Sequence, residues 1–240
     1  MRWLWTAIAA AWIASVALQL TGRATLLHHH TLIEHGPPLW IAVIIFLLGW
    51  QVMVAAMMLP ASMPTIALHG ASLSRVGRQG RGLLAFIAAY AVLWSLFGLF
   101  AFAGDFVLHH IVDATPWLAA RPWLIQGGVL GLAGAYQLTT LKRGSLAACR
   151  HPSALVTGLE PQARSATRLG LRHAINCLGS GWALMLLMFA EGFANLWWMV
   201  GLTVVMLYET VGRQGHRGAV VVGLVLLSMA AFVLVTRTAV

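Results

Sequence analysis

Trp40–Leu59 reads WIAVIIFLLGWQVMVAAMML, twenty residues without a charged side chain. An α-helix needs about 20 mostly apolar residues to cross ~30 Å of hydrocarbon, so this stretch predicts a membrane-spanning helix. The same pattern recurs on both sides of it. Trp3–Leu20, Leu83–Ala103 and Pro122–Leu141 are equally free of charge. The run from His173 to Val211 is too long for one span and breaks near Glu191, Gly192 and Asn195. It is read as a hairpin of Ile175–Phe189 and Leu196–Tyr208. Gly218–Val235 closes the series. The expected fold is all-α: a polytopic transmembrane bundle of about seven helices, forming a single integral membrane domain over residues 1–240.

Composition agrees. Hydrophobic residues make up 60% of the chain, charged ones 9%, and the mean hydropathy is +0.83. A soluble domain carries about 25% charged residues. The formal charge of +9 would suggest nucleic acid in a soluble protein, but here the basic residues lie between apolar spans, where they set topology. The expected partners are therefore the lipid bilayer and other membrane proteins, not nucleic acid.

A cytoplasmic N-terminus puts twelve of the fifteen basic residues inside, among them Arg75, Arg78, Arg81, Lys142, Arg143 and Arg150, and leaves Arg23, Arg121 and Arg237 outside. This charge bias points to a bacterial cytoplasmic (inner) membrane. Arg2 with Ser15-Val16-Ala17 also fits a cleavable signal peptide, although the apolar run exceeds the usual length of one. The longest loop, Lys142 to Arg172, carries two prolines and scattered arginines, the composition of a segment lying on anionic headgroups. Gly127 and Gly131 form a small-xxx-small pair that lets another helix approach closely.

Several side chains have metal-ligand chemistry. Met53 and Met57 share a helical face at i, i+4, with Met58 beside them near the inner end of the second span. Thioethers are soft donors suited to Cu(I), although methionine is also an ordinary core filler. On the fifth span Cys177, Gly181, Met185 and Met188 follow one face. On the sixth, Met199, Thr203 and Met206 do the same, with Glu209 beside them at the inner end. Cys149 and Cys177 are the only cysteines, too few for a disulfide framework. A second constellation falls in the outer loops: His28, His29, His30, Glu34 and His35 in the first, Asp105, His109, His110 and Asp113 in the second. Imidazoles with carboxylates suit Cu(II) or Zn(II), although histidines are common in loops.

In order along the chain, Trp50…Met53…Met57-Met58-Leu-Pro60, Tyr136-Gln-Leu-Thr139…Lys142…Cys149-Arg150-His151-Pro152, Cys177-Leu-Gly179…Trp182…Met185 and Gly192…Asn195…Trp198-Met199…Glu209 resemble an uncharacterised bacterial family of predicted metal-binding integral membrane proteins. The resemblance covers about Trp40 to Arg213 and implies metal binding within the bundle. The family pattern carries a thiol where Ser145 stands, a thiol pair where Ser180 and Gly181 stand, and a lysine where Thr210 stands. The resemblance therefore implies either a methionine-dominated site or a fold kept without its metal.

Three functions remain open on this reading. One is a membrane protein that binds or handles a soft transition metal, with copper as the ligand. Another is a non-enzymatic subunit or assembly factor of a larger membrane complex. The third is an integral-membrane metalloenzyme using the outer His/Asp cluster. The chain has no HExxH, P-loop, dinucleotide fingerprint or GxSxG motif.

Overall fold

The computed structural model describes residues 2–21, 38–74, 79–151, 163–190 and 195–238. Among them all regular structure is helical: α1 Arg2–Leu20, α2 Leu39–Ser74, α3 Gln79–Asp113, α4 Pro116–Ala119, α5 Pro122–Gln137, α6 Thr140–Arg150, α7 Ala163–Ala190, α8 Leu196–Val211 and α9 Gly215–Thr238. Four of these, α1, α2, α3 and α9, are long and apolar enough to cross a membrane. Helix α8 is apolar but has only 16 residues, as has α5, about 24 Å at 1.5 Å per residue. Helix α7 has 28 residues but begins with Arg164, Arg168, Arg172 and His173. Among the described residues, length and composition alone therefore mark four of these helices as spans.

The largest departure from the expected boundaries is α2, which runs fifteen residues beyond Leu59 and straight through Pro60 and Pro64. Proline lacks an amide hydrogen, so Pro60 leaves the carbonyl of Ala56 without its helical donor. The indole of Trp12 on α1 supplies one, Nε1 donating to Ala56 O at 3.1 Å. The same contact pins α1 to α2, where Leu4, Ile8 and Ala11 are buried.

Two further pairs organise the bundle. Helix α5 lies against α9 along Gly127, Gly131 and Gly134; a Cβ on Gly134 would come within 2.9 Å of both the Gly223 carbonyl oxygen and the Leu227 nitrogen. The close-approach role expected of Gly127 and Gly131 is filled, and α9 is the partner. Helix α3 meets α2 through Gln51, whose amide donates to Ala91 O at 3.0 Å and to Ser95 Oγ at 2.7 Å.

The loop after α5 differs from the interfacial segment expected there. Thr139 caps a new helix by accepting from Lys142 N at 3.2 Å, and α6 packs on α7 with contacts to α5 and α8. Lys142 and Leu146 are buried. The hydrogen-bonding capacity of Thr139 and a bundle-facing lysine draw this part of the chain inward. Residues 152–162 lie outside the described residues, as do Glu191 and Gly192. Asn195 is described, and its side chain accepts from Trp197 N and Trp198 N to start α8.

Replacing Trp12 by Phe keeps the ring and removes the donor to Ala56. A buried unsatisfied carbonyl costs about 1–3 kcal/mol, so thermal or denaturant unfolding in detergent should show a loss of that size.

Candidate metal centre

The helical faces that carry soft ligands turn toward one another. Met53, Met57 and Met58 of α2, Met185 and Met188 of α7, and Met199 and Met206 of α8 belong to one buried core together with Cys177. These are seven of the ten methionines in the chain. Gly181 marks where they converge. A Cβ there would meet Met58 Cε at 3.1 Å, and the sulfurs of Met58 and Met206 each at 3.9 Å. Two thioethers from different helices therefore face the same bare turn of α7. Only a residue without a side chain leaves that space open.

One turn before Gly181, the Cys177 sulfur lies 3.1 Å from the Tyr90 hydroxyl of α3, which is 3.4 Å from Ser62 Oγ of α2. Ser180 Oγ donates to Cys177 O at 2.9 Å, and Cys149 Sγ of α6 lies 4.0 Å from Ser180 Oγ. Both thiols are free. Burial, with a smaller effect of neighbouring Cys177, pushes the Cys149 thiol up to about 12. It is a neutral thiol at physiological pH, as the thioethers are neutral at every pH.

Glu209, one of the candidate ligands, is held by other side chains of the bundle. Its Oε2 pairs with Lys142 Nζ at 2.6 Å, and its Oε1 accepts from Gln137 Nε2 at 2.8 Å. Lys142 also donates to Ser180 O, and Arg150 Nη1 donates to the backbone carbonyl of Glu209 at 2.6 Å. Both carboxylate oxygens are thus engaged, Oε2 by the lysine and Oε1 by the amide. Lys142 and Glu209 are 1% and 2% exposed, which makes this an ion pair inside the bundle.

The outer cluster divides. His28, His29, His30, Glu34 and His35 lie outside the described residues. On α3, His109 Nδ1 is 3.5 Å from Asp105 Oδ2 and 2.9 Å from the Asp105 carbonyl oxygen. Asp105, His109 and Asp113 line a cavity of about 840 Å³ with Gln126 and Arg237, and its wall continues to Trp182, the residue after Gly181. His110 stands apart: it is exposed, with Nδ1 3.0 Å from Phe106 O and its ring 4.4 Å from that of Phe106. Among the described residues, no group of three or more His, Cys, Asp or Glu is arranged to hold a metal ion. The sulfurs of the methionine core fall outside that ligand class.

Several members of the centre do not stand out in the sequence. Lys142 and Gln137 fall within the quoted motif, but by themselves they read as a topology-setting charge and a helix-end residue, with nothing to pair them with Glu209. Ser180 takes part through its backbone, and Tyr90 belongs to an apolar span with no motif. Tyr136 of α5 does stand in the motif; its hydroxyl donates to Gly179 O at 2.5 Å and its ring packs edge-on against Trp182 at 4.7 Å.

A family model, PpoB2, described as a copper chaperone, matches residues 47–233. No curated protein and no solved structure matches the chain. The matched segment contains the whole methionine core, both cysteines and the Lys142–Glu209 pair. The chain belongs to this copper chaperone family.

Breaking a buried ion pair from one side costs about 3–5 kcal/mol, because it strands the other charge, whereas removing both is far cheaper. Lys142→Met and Glu209→Gln alone should each lose stability on that scale in detergent unfolding. The double variant should recover more than half of the loss.

Proposed function

We propose that this member of the copper chaperone family is a polytopic membrane protein that binds Cu(I) in its methionine core and hands it on. The observation that carries this reading is the convergence of the Met58 and Met206 sulfurs on Gly181, within a core that holds five more methionines and Cys177. Thioether and thiol donors select Cu(I) over harder ions. They also suit the dielectric: a monovalent ion among neutral sulfurs brings only one charge into the bundle. Glu209, already paired with Lys142, is not among the ligands.

The orientation completes the proposal. Seven spans with a cytoplasmic N-terminus, in a bacterial inner membrane, put the Asp105–His109 cavity on the outer side and Cys177 toward the cytoplasm. Copper would be collected at the carboxylates and imidazoles of that cavity and pass Trp182 to reach the thioethers. Short helices such as α5 are accommodated by local thinning of the bilayer. The protein then acts by holding and releasing its cargo, with other membrane proteins as donors or acceptors.

Purified protein reduced and offered Cu(I) under anaerobic conditions should retain it stoichiometrically against a competing chelator. The Met58→Leu/Met206→Leu double variant should bind at least tenfold more weakly while unfolding at nearly the same temperature, since Met-to-Leu exchanges conserve volume and cost less than about 1.5 kcal/mol. Wild-type protein that takes up no Cu(I) overturns the reading.

A further inference from the structure

Helix α7 carries one more buried group in line with the sulfurs. Met185, Gly181, Cys177 and His173 follow one another at four-residue steps, so they form a single strip along the helix. His173 is 2% exposed, and neither ring nitrogen has a hydrogen-bond partner among the described residues. That is unusual for a structural histidine. A neutral imidazole has one N–H and one lone pair, and buried polar atoms are nearly always paired. The ring of His173 stacks on Tyr90, with centroids 5.9 Å apart and planes at 25°, and touches Phe86 at 5.7 Å. Tyr90 is the residue whose hydroxyl meets the Cys177 sulfur at 3.1 Å. One tyrosine thus contacts both the thiol and the unpartnered imidazole, which stand one helical turn apart.

We propose that Cys177 and His173 form a second Cu(I) site, which receives the ion from the thioethers and carries it one turn further toward the N-terminal end of α7. On binding, the Cys177 S–H bond breaks, an S–Cu bond forms and the proton leaves to solvent; no electron is transferred. The resulting thiolate–Cu(I)–imidazole unit is neutral, as the apolar surroundings require, and both ligand types suit copper. Side chains at i and i+4 have Cβ atoms about 5–6 Å apart, a span that one bridging ion closes. Tyr90 holds the two groups in position without ligating. This site rests on the proposed function and specifies its release side.

The test uses full-length protein in detergent, loaded with one equivalent of Cu(I) and read by X-ray absorption at the copper edge. Wild-type protein should show mixed sulfur and imidazole scattering. Both His173→Gln and Cys177→Ser should lose the imidazole contribution, and transfer to an excess of a Cu(I) chelator should slow at least fivefold in each. His69→Gln, which alters the histidine that reaches Phe86 from α2 at 6.0 Å, should match the wild type. An all-sulfur spectrum in wild-type protein, or an imidazole signal that survives both substitutions, overturns the second site and leaves copper binding by the methionines intact. Failure of wild-type protein to bind Cu(I) overturns both. Should one variant not fold, the other still decides, because each removes a different ligand of the same pair.

Discussion

A charge placed inside an apolar bundle must meet its opposite there, and Lys142 with Glu209 is where this chain meets that requirement. The lysine comes from α6 and the carboxylate from α8, while Gln137 at the end of α5 holds the second carboxylate oxygen. Lys142 also reaches the carbonyl of Ser180 on α7. One ion pair and its hydrogen bonds therefore join four helices, and neither α6 nor α8 can shift by a turn without leaving an uncompensated charge in a low-dielectric interior. Arg150 adds a fourth contact by tying the end of α6 to the last turn of α8.

The centre inherits its geometry from that junction. Ser180, which receives Lys142, is the residue before Gly181 and three after Cys177; Glu209 is three residues after Met206. Fixing the carbonyl of Ser180 sets the rotation of α7 and so where the bare turn at Gly181 faces. Fixing Glu209 sets the rotation of α8 and so where Met206 points. The second half of the frame comes from α2, whose continuity past Pro60 depends on an indole donated by α1. Met57 and Met58 lie in the turn just before that proline. These contacts act at the edges of the sulfur cluster, while within it Tyr90 reaches the Cys177 sulfur and the methionines are packed among apolar neighbours.

The apolar runs of α1, α2, α3 and α9 could be read directly, because an uninterrupted stretch of 20 residues has few other uses. The faces carrying Met53 and Met57, or Cys177 and Met185, followed equally from helical spacing. What a linear reading could not supply was the pairing of faces. Lys142 and Glu209 are 67 residues apart, so the lysine passed for a loop charge, and its helix for an interfacial one. Trp12 and Ala56 are 44 apart, so Pro60 read as a helix end. Helices α5, α7 and α8 illustrate the other limit. Asn195 caps the start of α8, and α5 and α7 pack closely on their neighbours, features that local composition does not encode.

A core built from seven methionines has a vulnerability that a leucine core of the same shape would lack. Oxidation turns a thioether into a sulfoxide, replacing a flexible apolar group with a polar one. At Met58 or Met206 the new oxygen would be a polar atom added to the tightly packed space at Gly181. The same sulfurs that make the interior receptive to a soft ion thus tie its integrity to the reducing state of its surroundings, and to enzymes able to reverse the damage.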